Sequence, residues 1–395
     1  MLKTNKKIGK SILTTSGPVT YSRYALIPKN PESRTALRQL NGKGVVYPLD
    51  EAFHLDTLPF KTSPRMMLEI AYWAVKFDSY QETEEYFKKK CGVRISDDTI
   101  RKIVNFIGKY IFDEDMRLGK ETSEKFNSGH AMYSPSAEGT LYIMADGSMV
   151  NTRSKNSDGS TWRENKLGMV FSSDHIYYWK SKKGEPRHRI ERREYISLLG
   201  SVEDFKKVLL HTAVRNGYGK YKNVVILSDG AAWIRNMKEE VFPDAQQILD
   251  KFHAKENTYK FAKVIFKEDE SKYIPWSENI CQKLDDGKWE EIIDGLAPYK
   301  DKTYGSGVVN LYTYLNNNRE NIDYPAYVKK GFFVGSGAIE SGNKIAVQNR
   351  LKLPGMRWNE ETAQYVLSIK AKIESNLWET ETMPQLMKMM GAPYI

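Results

Sequence analysis

Apolar residues change their period along this chain, and each change predicts a different element. Two short runs, PVTYSRYALI at 18–27 and GVVYPL at 44–49, are β-branched and aromatic. Pro28, Asn30, Pro31 and Gly42 lie between them. This pattern predicts a small β-hairpin. Residues 1–15 before it are polar and Lys-rich and are expected to form a mobile arm. From Ser63 the period lengthens to that of helices. Ser63-Pro64 reads as a helix start before MMLEIAYWAVKF. Ser79 and Ser96 are placed to cap helices over Tyr80–Lys90 and Asp97–Ile111, with Gly92 at the break. Two helices around a short Gly-containing turn form a helix-turn-helix pattern. In a DNA-binding role its second helix offers Arg101 and Lys102.

A Ser/Gly/Asn-bearing stretch at 123–139 marks a boundary. Beyond it come three strand-like runs, EGTLYIMADGSMV, ENKLGMVFSS and HIYYWKS. A helix follows from Ser201 and closes at Gly217. Then come YKNVVILSDG as a strand, AAWIRNMKEEV as a helix, and DAQQILDKFHAKEN as a strand passing into a helix. Strands joined by short turns pair antiparallel, and strands joined through helices pair parallel, so a mixed α/β sheet is predicted. The charged, aromatic tract at 256–330 has no strand pattern and reads as a helical insertion. The expected organisation is an arm and hairpin over 1–60, a helix-turn-helix-like DNA-binding domain over 61–122, the first part of an α/β core over 136–255, the insertion over 256–330, and the core's C-terminal helices over 331–395.

Charge narrows the partner. The 395 residues carry 60 Lys and Arg against 50 Asp and Glu, a net charge of +10. A positive field draws polyanions, because binding releases the counterions condensed on phosphates. The only cysteines, Cys91 and Cys281, are too few for a disulfide framework or a Cys-rich zinc site, and point to a reducing cytoplasm. The N-terminus does not read as a secretory signal, and no run of apolar residues is long enough to predict a membrane span.

The chemistry concentrates at two Asp-Gly strand ends, IMADG and VILSDG. Side chains at the carboxyl ends of adjacent strands meet at the usual ligand crevice of α/β sheets. Asp146 and Asp229 are therefore expected together. Two close carboxylates need a counter-charge, and oxygen ligands suit Mg²⁺ or Mn²⁺. Glu340, opening a helix after a Gly-Ser-Gly turn, is a candidate third ligand. Taken singly each acid has a plainer reading, as a turn former, a helix cap or a solvated helix residue, and the pattern alone leaves Glu340 open. The basic segment from Lys180 to Arg193 offers Lys182, Lys183, Arg187, Arg189, Arg192 and Arg193 to phosphates, with Arg163 and Lys166 on the strand before it. Lys344, Arg350, Lys352 and Arg357 follow Glu340. Trp358 reads equally as a base-stacking ring or a core aromatic.

The segments MADGSMV, WRENKLGMVF, LLGSVEDF, VVILSDGAAWI, ILDKFHAKEN and GSGAIESGNK…RLKLPGMRW resemble the bacterial insertion-sequence transposases of the ISLre group, relatives of the mutator-like DDE transposases. The resemblance runs from about Gly17 to about Trp378. It implies an RNase H-like core with a five-stranded mixed sheet and a helical insertion. It makes Asp146, Asp229 and Glu340 the catalytic acids, holding Mg²⁺ or Mn²⁺ as two ions. It also maps a C/D-x-x-H motif onto Asp250-Lys251-Phe252-His253, placing His253 near the active site. The implied protein is a homodimeric, nucleoid-associated enzyme that cuts at terminal inverted repeats and joins the freed 3′-OH to target DNA. Related groups carry a Cys-based zinc element near the N-terminus, and residues 17–50 here have no Cys. Two alternatives stay open: a nuclease of the same fold without strand transfer, and a non-catalytic DNA-binding regulator.

Overall fold

The computed structural model describes residues 2–56, 58–128, 135–157, 159–305 and 307–392. The boundary expected at 123–139 falls partly on 129–134, which lie outside the described residues. The chain forms two compact units, one made of the residues up to Asp113 with those from Asn349 onward, the other of Glu114–Gln348. The tract 331–395, expected as one block, is thus divided between them.

In the first unit β1 (Leu2–Thr14) pairs antiparallel with β2 (Gly17–Pro28). A hairpin is present, but its first strand is the segment expected as a mobile arm. The run GVVYPL contributes only an isolated bridge, Leu26↔Val46. The residues read as turn formers are helix punctuation instead. Asn30 caps α1 (Pro31–Asn41), Pro31 sits at its first position, and Gly42 closes it in the left-handed conformation. A short helix, α2 (Pro48–Ala52), carries a buried Asp50 that accepts hydrogen bonds from Lys10 and Tyr21 at 2.9 and 2.7 Å. The expected caps are in place: Ser63 begins α3 (Pro64–Lys76), and Ser79 begins α4 (Tyr80–Cys91), which Gly92 ends. Ser96 accepts from the Thr99 N–H at the start of α5 (Asp97–Asn127), which runs well past the expected Ile111. Later helices at Glu360–Glu374 and Met383–Met389 complete this unit.

The second unit is built on a five-stranded mixed sheet in the order β7-β4-β3-β8-β9. Its members are β3 (Ala137–Asn151), β4 (Trp162–Ser172), β7 (Glu194–Leu198), β8 (Tyr221–Ser228) and β9 (Gln246–Leu249). The first three pair antiparallel and the last two join parallel, as their connections predict. One strand was misplaced in the sequence reading. HIYYWKS does not join the sheet. It forms β5 (Ile176–Lys180), which pairs only with β6 (Pro186–Ile190) in a separate two-stranded ribbon. The third strand of the sheet is instead EYISL, buried throughout. Apolar content does not separate the two, since the buried EYISL carries Glu194 and Ser197 while β5, IYYWK, exposes four of its five residues.

Helices α6 (Val202–Arg215) and α7 (Ala232–Val241) connect the later strands. After β9 the described chain is helical, through α8 (Lys251–Ile265), α9 (Glu270–Asp285), α10 (Trp289–Leu296), α11 (Leu311–Asn317) and α12 (Tyr324–Lys329). It returns to the sheet as α13 (Gly337–Asn343). No helix among the described residues is long and apolar enough to cross a membrane.

Candidate active site

The strand register places the site. On β3 and β8 the last paired residues are Met144 and Leu227. Two residues further along each strand stand Asp146 and Asp229, level with one another. On β8 and β9 the last pair is Ser228 and Leu249, so the next residues are Asp229 and Asp250. Asp229 and Asp250 each directly follow the last residue of their strand, and Asp146 stands level with Asp229 inside β3, just past the point where the parallel pairing stops and before β3 runs on to Asn151. Asp146 remains held in the sheet on its other side, where it pairs with Leu167 of β4.

The turn after Asp229 is fixed. Gly230 has φ +91°, and a Cβ there would lie 2.8 Å from Leu249 and 3.0 Å from the Tyr314 ring. Only glycine suits both the conformation and the space. The Asp229 carboxylate accepts from the Ala231 N–H at 2.9 Å, and its carbonyl accepts from the Tyr314 hydroxyl at 2.9 Å.

Helix α13 brings the remaining groups. It approaches the sheet closely because Gly342 has no side chain: a Cβ there would lie 2.6 Å from the Tyr195 ring. One turn after Glu340, Asn343 is buried and donates its amide to the Asp146 carboxylate. Before the helix, the Ser336 hydroxyl donates to Glu340 Oε1 at 3.1 Å, and the Ser336 N–H donates to Asp250. Asp250 is fully buried and caps α8. It accepts from the His253 N–H at 2.5 Å and pairs with His253 Nδ1 at 3.1 Å. His253 Nδ1 lies 4.0 Å from Glu340 Oε1. The Glu340 side chain is 53% exposed. The helix then widens into a π turn over Lys344–Gln348.

Charge explains how these groups titrate. Burial pushes the Asp146 carboxyl up, the Asn343 amide pulls it down, and the charge on Asp229 raises it again, leaving it above the usual range. The His253 imidazolium is held to about 9 by its hydrogen bond to Asp250, against the cost of burial, with Asp229 and Glu340 adding to the effect. For Asp250, burial favours the neutral acid, but the hydrogen bonds from His253 and Ser336 prevail and hold its carboxyl below the usual range.

The donor set is one of hard oxygens, which suits a divalent cation such as Mg²⁺ or Mn²⁺. One further observation agrees. Asn343 Oδ1 is buried with no hydrogen-bond partner among the described residues, although its own amide nitrogen is bound to Asp146. An orphaned buried oxygen beside a carboxylate is where a cation or its water would be satisfied. As placed, no three His, Cys, Asp or Glu side chains among the described residues are close enough together to hold an ion.

The model of a family described as "Uncharacterised protein family (UPF0236)" matches residues 3–380. The chain belongs to this family. No curated protein matches the chain.

The candidate DNA contacts fall into two groups. Lys182, Lys183, Arg187, Arg189 and Arg192 are exposed on or beside the β5–β6 ribbon. Arg101 and Lys102 are exposed on α5, where both pair with Asp98. Lys344, Lys352 and Arg357 are exposed as well. Arg163 is half-buried, and Arg193, also half-buried, donates to the Ile190 carbonyl and lies 5.7 Å from the Tyr195 ring. Three candidates are corrected. Lys166 is buried and donates to the Gly200 carbonyl at 3.1 Å. Arg350 is buried, donates to the Ala74 carbonyl and lies over the rings of Tyr80 and Trp358. Trp358 is itself buried and donates its indole N–H to the Leu351 carbonyl. None of the three offers a surface to a phosphate or a base.

Asn343 and Ser336 were missed by the sequence reading, and Asp250 entered only through the resemblance. The signals were present. IMAD, VILSD and QILD are three apolar runs ending in aspartate, and Asn343 lies one helical turn past Glu340.

Proposed function

We propose that this protein is a metal-dependent DNA transposase that cuts at the ends of its own element and joins the freed 3′-OH to target DNA. The observation that carries the reading is the level placement of Asp146 on β3 and Asp229 just past the end of β8, where the parallel pairing of the two strands stops. The sheet order and the helical insertion before Glu340 favour an RNase H-like core. The net charge of +10 and the exposed basic ribbon favour a DNA partner. Capped helices α4 and α5 favour a helix-turn-helix role for Arg101 and Lys102. Pairing of two element ends calls for a homodimer working at the nucleoid.

Asp146, Asp229 and Glu340 would hold the cation. When bound, Mg²⁺ or Mn²⁺ supplies Lewis-acid polarisation of the scissile phosphate and stabilises the leaving oxygen. The chain's own residues do the rest. Asn343 orients the Asp146 carboxylate and opposes its protonation. Asp250 fixes the His253 ring through Nδ1, which leaves Nε2 to a phosphate oxygen. Ser336 holds Glu340, whose exposure gives it room to turn toward the two aspartates.

The test is a labelled duplex ending in the element's inverted repeat, incubated with Mg²⁺ and target DNA. Joined strands are expected. Nicks without joining would favour a nuclease, and DNA binding without cleavage would favour a regulator.

A further inference from the structure

The ribbon β5–β6 stands outside the sheet and has two unlike faces. Its register sets Tyr177 opposite Arg189 and Trp179 opposite Arg187. Alternate residues share a face, so these four side chains lie together on one side. Both rings are exposed, Tyr177 at 54% and Trp179 at 41%. They stack on each other with centroids 5.9 Å apart and planes 23° apart, and Arg189 lies 5.9 Å from the Tyr177 centroid. The opposite face carries the exposed Tyr178, tilted against His188, and also holds the ribbon in place. There His188 stacks on Phe333 at 4.7 Å, and Phe333 in turn packs on Tyr142 at 5.0 Å. Tyr142 lies on β3, the strand that carries Asp146, and Phe333 lies three residues before Ser336. The ribbon is thus fixed to the two segments that build the candidate active site.

Beyond their own stacking and the Arg189 contact, the two rings stay about half exposed to water. Their open faces need a partner that is flat, apolar and supplied with negative charge. The segment from Lys180 to Arg193 carries seven Lys and Arg against two Glu, so the ribbon is electropositive. Arg187 and Arg189 form exposed pairs with Glu185 and Glu191. Such pairs are weak in water and readily exchanged for phosphates. We propose that the Tyr177–Trp179 face is a stacking platform for unpaired DNA, with Arg187 and Arg189 on its phosphates. Bases show their faces only when unpaired, so the platform selects single strand over duplex. In the phosphoryl-transfer reading, on which this proposal rests, it would hold the strand opened beside the scissile phosphate.

The experiment uses the full chain and a labelled mixed-sequence oligonucleotide of about 20 nucleotides, both single-stranded and as a duplex, at one fixed salt concentration. Anisotropy titrations are run on the native protein, on Tyr177→Ala/Trp179→Ala and on Tyr177→Leu/Trp179→Leu. Both variants should lose single-strand affinity by about tenfold or more and keep duplex affinity within about twofold. The Leu pair keeps apolar bulk at an exposed position, so its loss reports the ring faces. Unchanged single-strand affinity in the variants, with native binding intact, overturns the platform alone. A fall in oligomeric mass on light scattering with no change in DNA binding also overturns it, assigning the face to a second copy of the chain. No binding of either DNA by the native protein overturns the DNA reading itself.

Discussion

Asn343 donates its side-chain amide to the Asp146 carboxylate across 197 positions of sequence. The pairing leaves Asn343 Oδ1 buried without a partner among the described residues. Asn343→Ala is therefore expected to lower cleavage by about 10- to 100-fold, the usual effect of removing a group that orients a metal ligand. The fold should survive, because the lost side chain is small. Rates measured across a Mg²⁺ series check this, and the deficit should shrink at high metal concentration.

His253 gives a pH dependence with a defined sign. Its folded-state pKa is raised from 6.5 to about 9, first by the Asp250 hydrogen bond. The stability it contributes is fully present below pH 6.5 and is lost as pH rises through about 9. Thermal melts of metal-free protein should therefore show a fall in stability across that window. In His253→Gln the fall should flatten, since glutamine does not titrate.

Gly230→Ala tests the turn that aims Asp229. The substitution places a Cβ 2.8 Å from Leu249 at a φ of +91°. A cost of about 1–3 kcal/mol in stability is expected from backbone strain and overpacking. Activity should fall further than stability alone accounts for, because the carboxylate moves with the turn. Denaturant melts and cleavage rates on the same preparation separate the two effects.

Arg350 separates a structural role from a DNA contact. It is buried, with its guanidinium 5.0 and 4.8 Å from the rings of Tyr80 and Trp358. Arg350→Ala should destabilise the protein by about 2–4 kcal/mol through the cavity it leaves. The salt slope of DNA binding should not change, since no phosphate contact is lost. Calorimetry and a salt titration of DNA affinity give the two readouts.

What was legible in the sequence follows from how local each signal is. Ser63, Ser79 and Ser96 announced helix starts because capping depends on a few adjacent residues. Asp146 and Asp229 were legible because each closes an apolar run. The hairpin partner was not, because pairing β1 with β2 depends on contacts that a polar, Lys-rich strand does not advertise. HIYYWKS and EYISL look alike as strands, and only burial on both faces distinguishes the one that enters the sheet. The burial of Arg350 and Trp358 was invisible for the same reason. A basic or aromatic residue after a catalytic-looking glutamate reads as a contact until its tertiary neighbours are known.

Asp229 is the acid whose loss should be felt most. Cleavage of a labelled element-end duplex should be followed with Mg²⁺, for the native protein and for Asp229→Ala at matched thermal stability. Mg²⁺-dependent cutting by the native protein is expected, with a loss of at least about a thousandfold in the variant. Cutting by Asp229→Ala at the native rate would contradict this expectation.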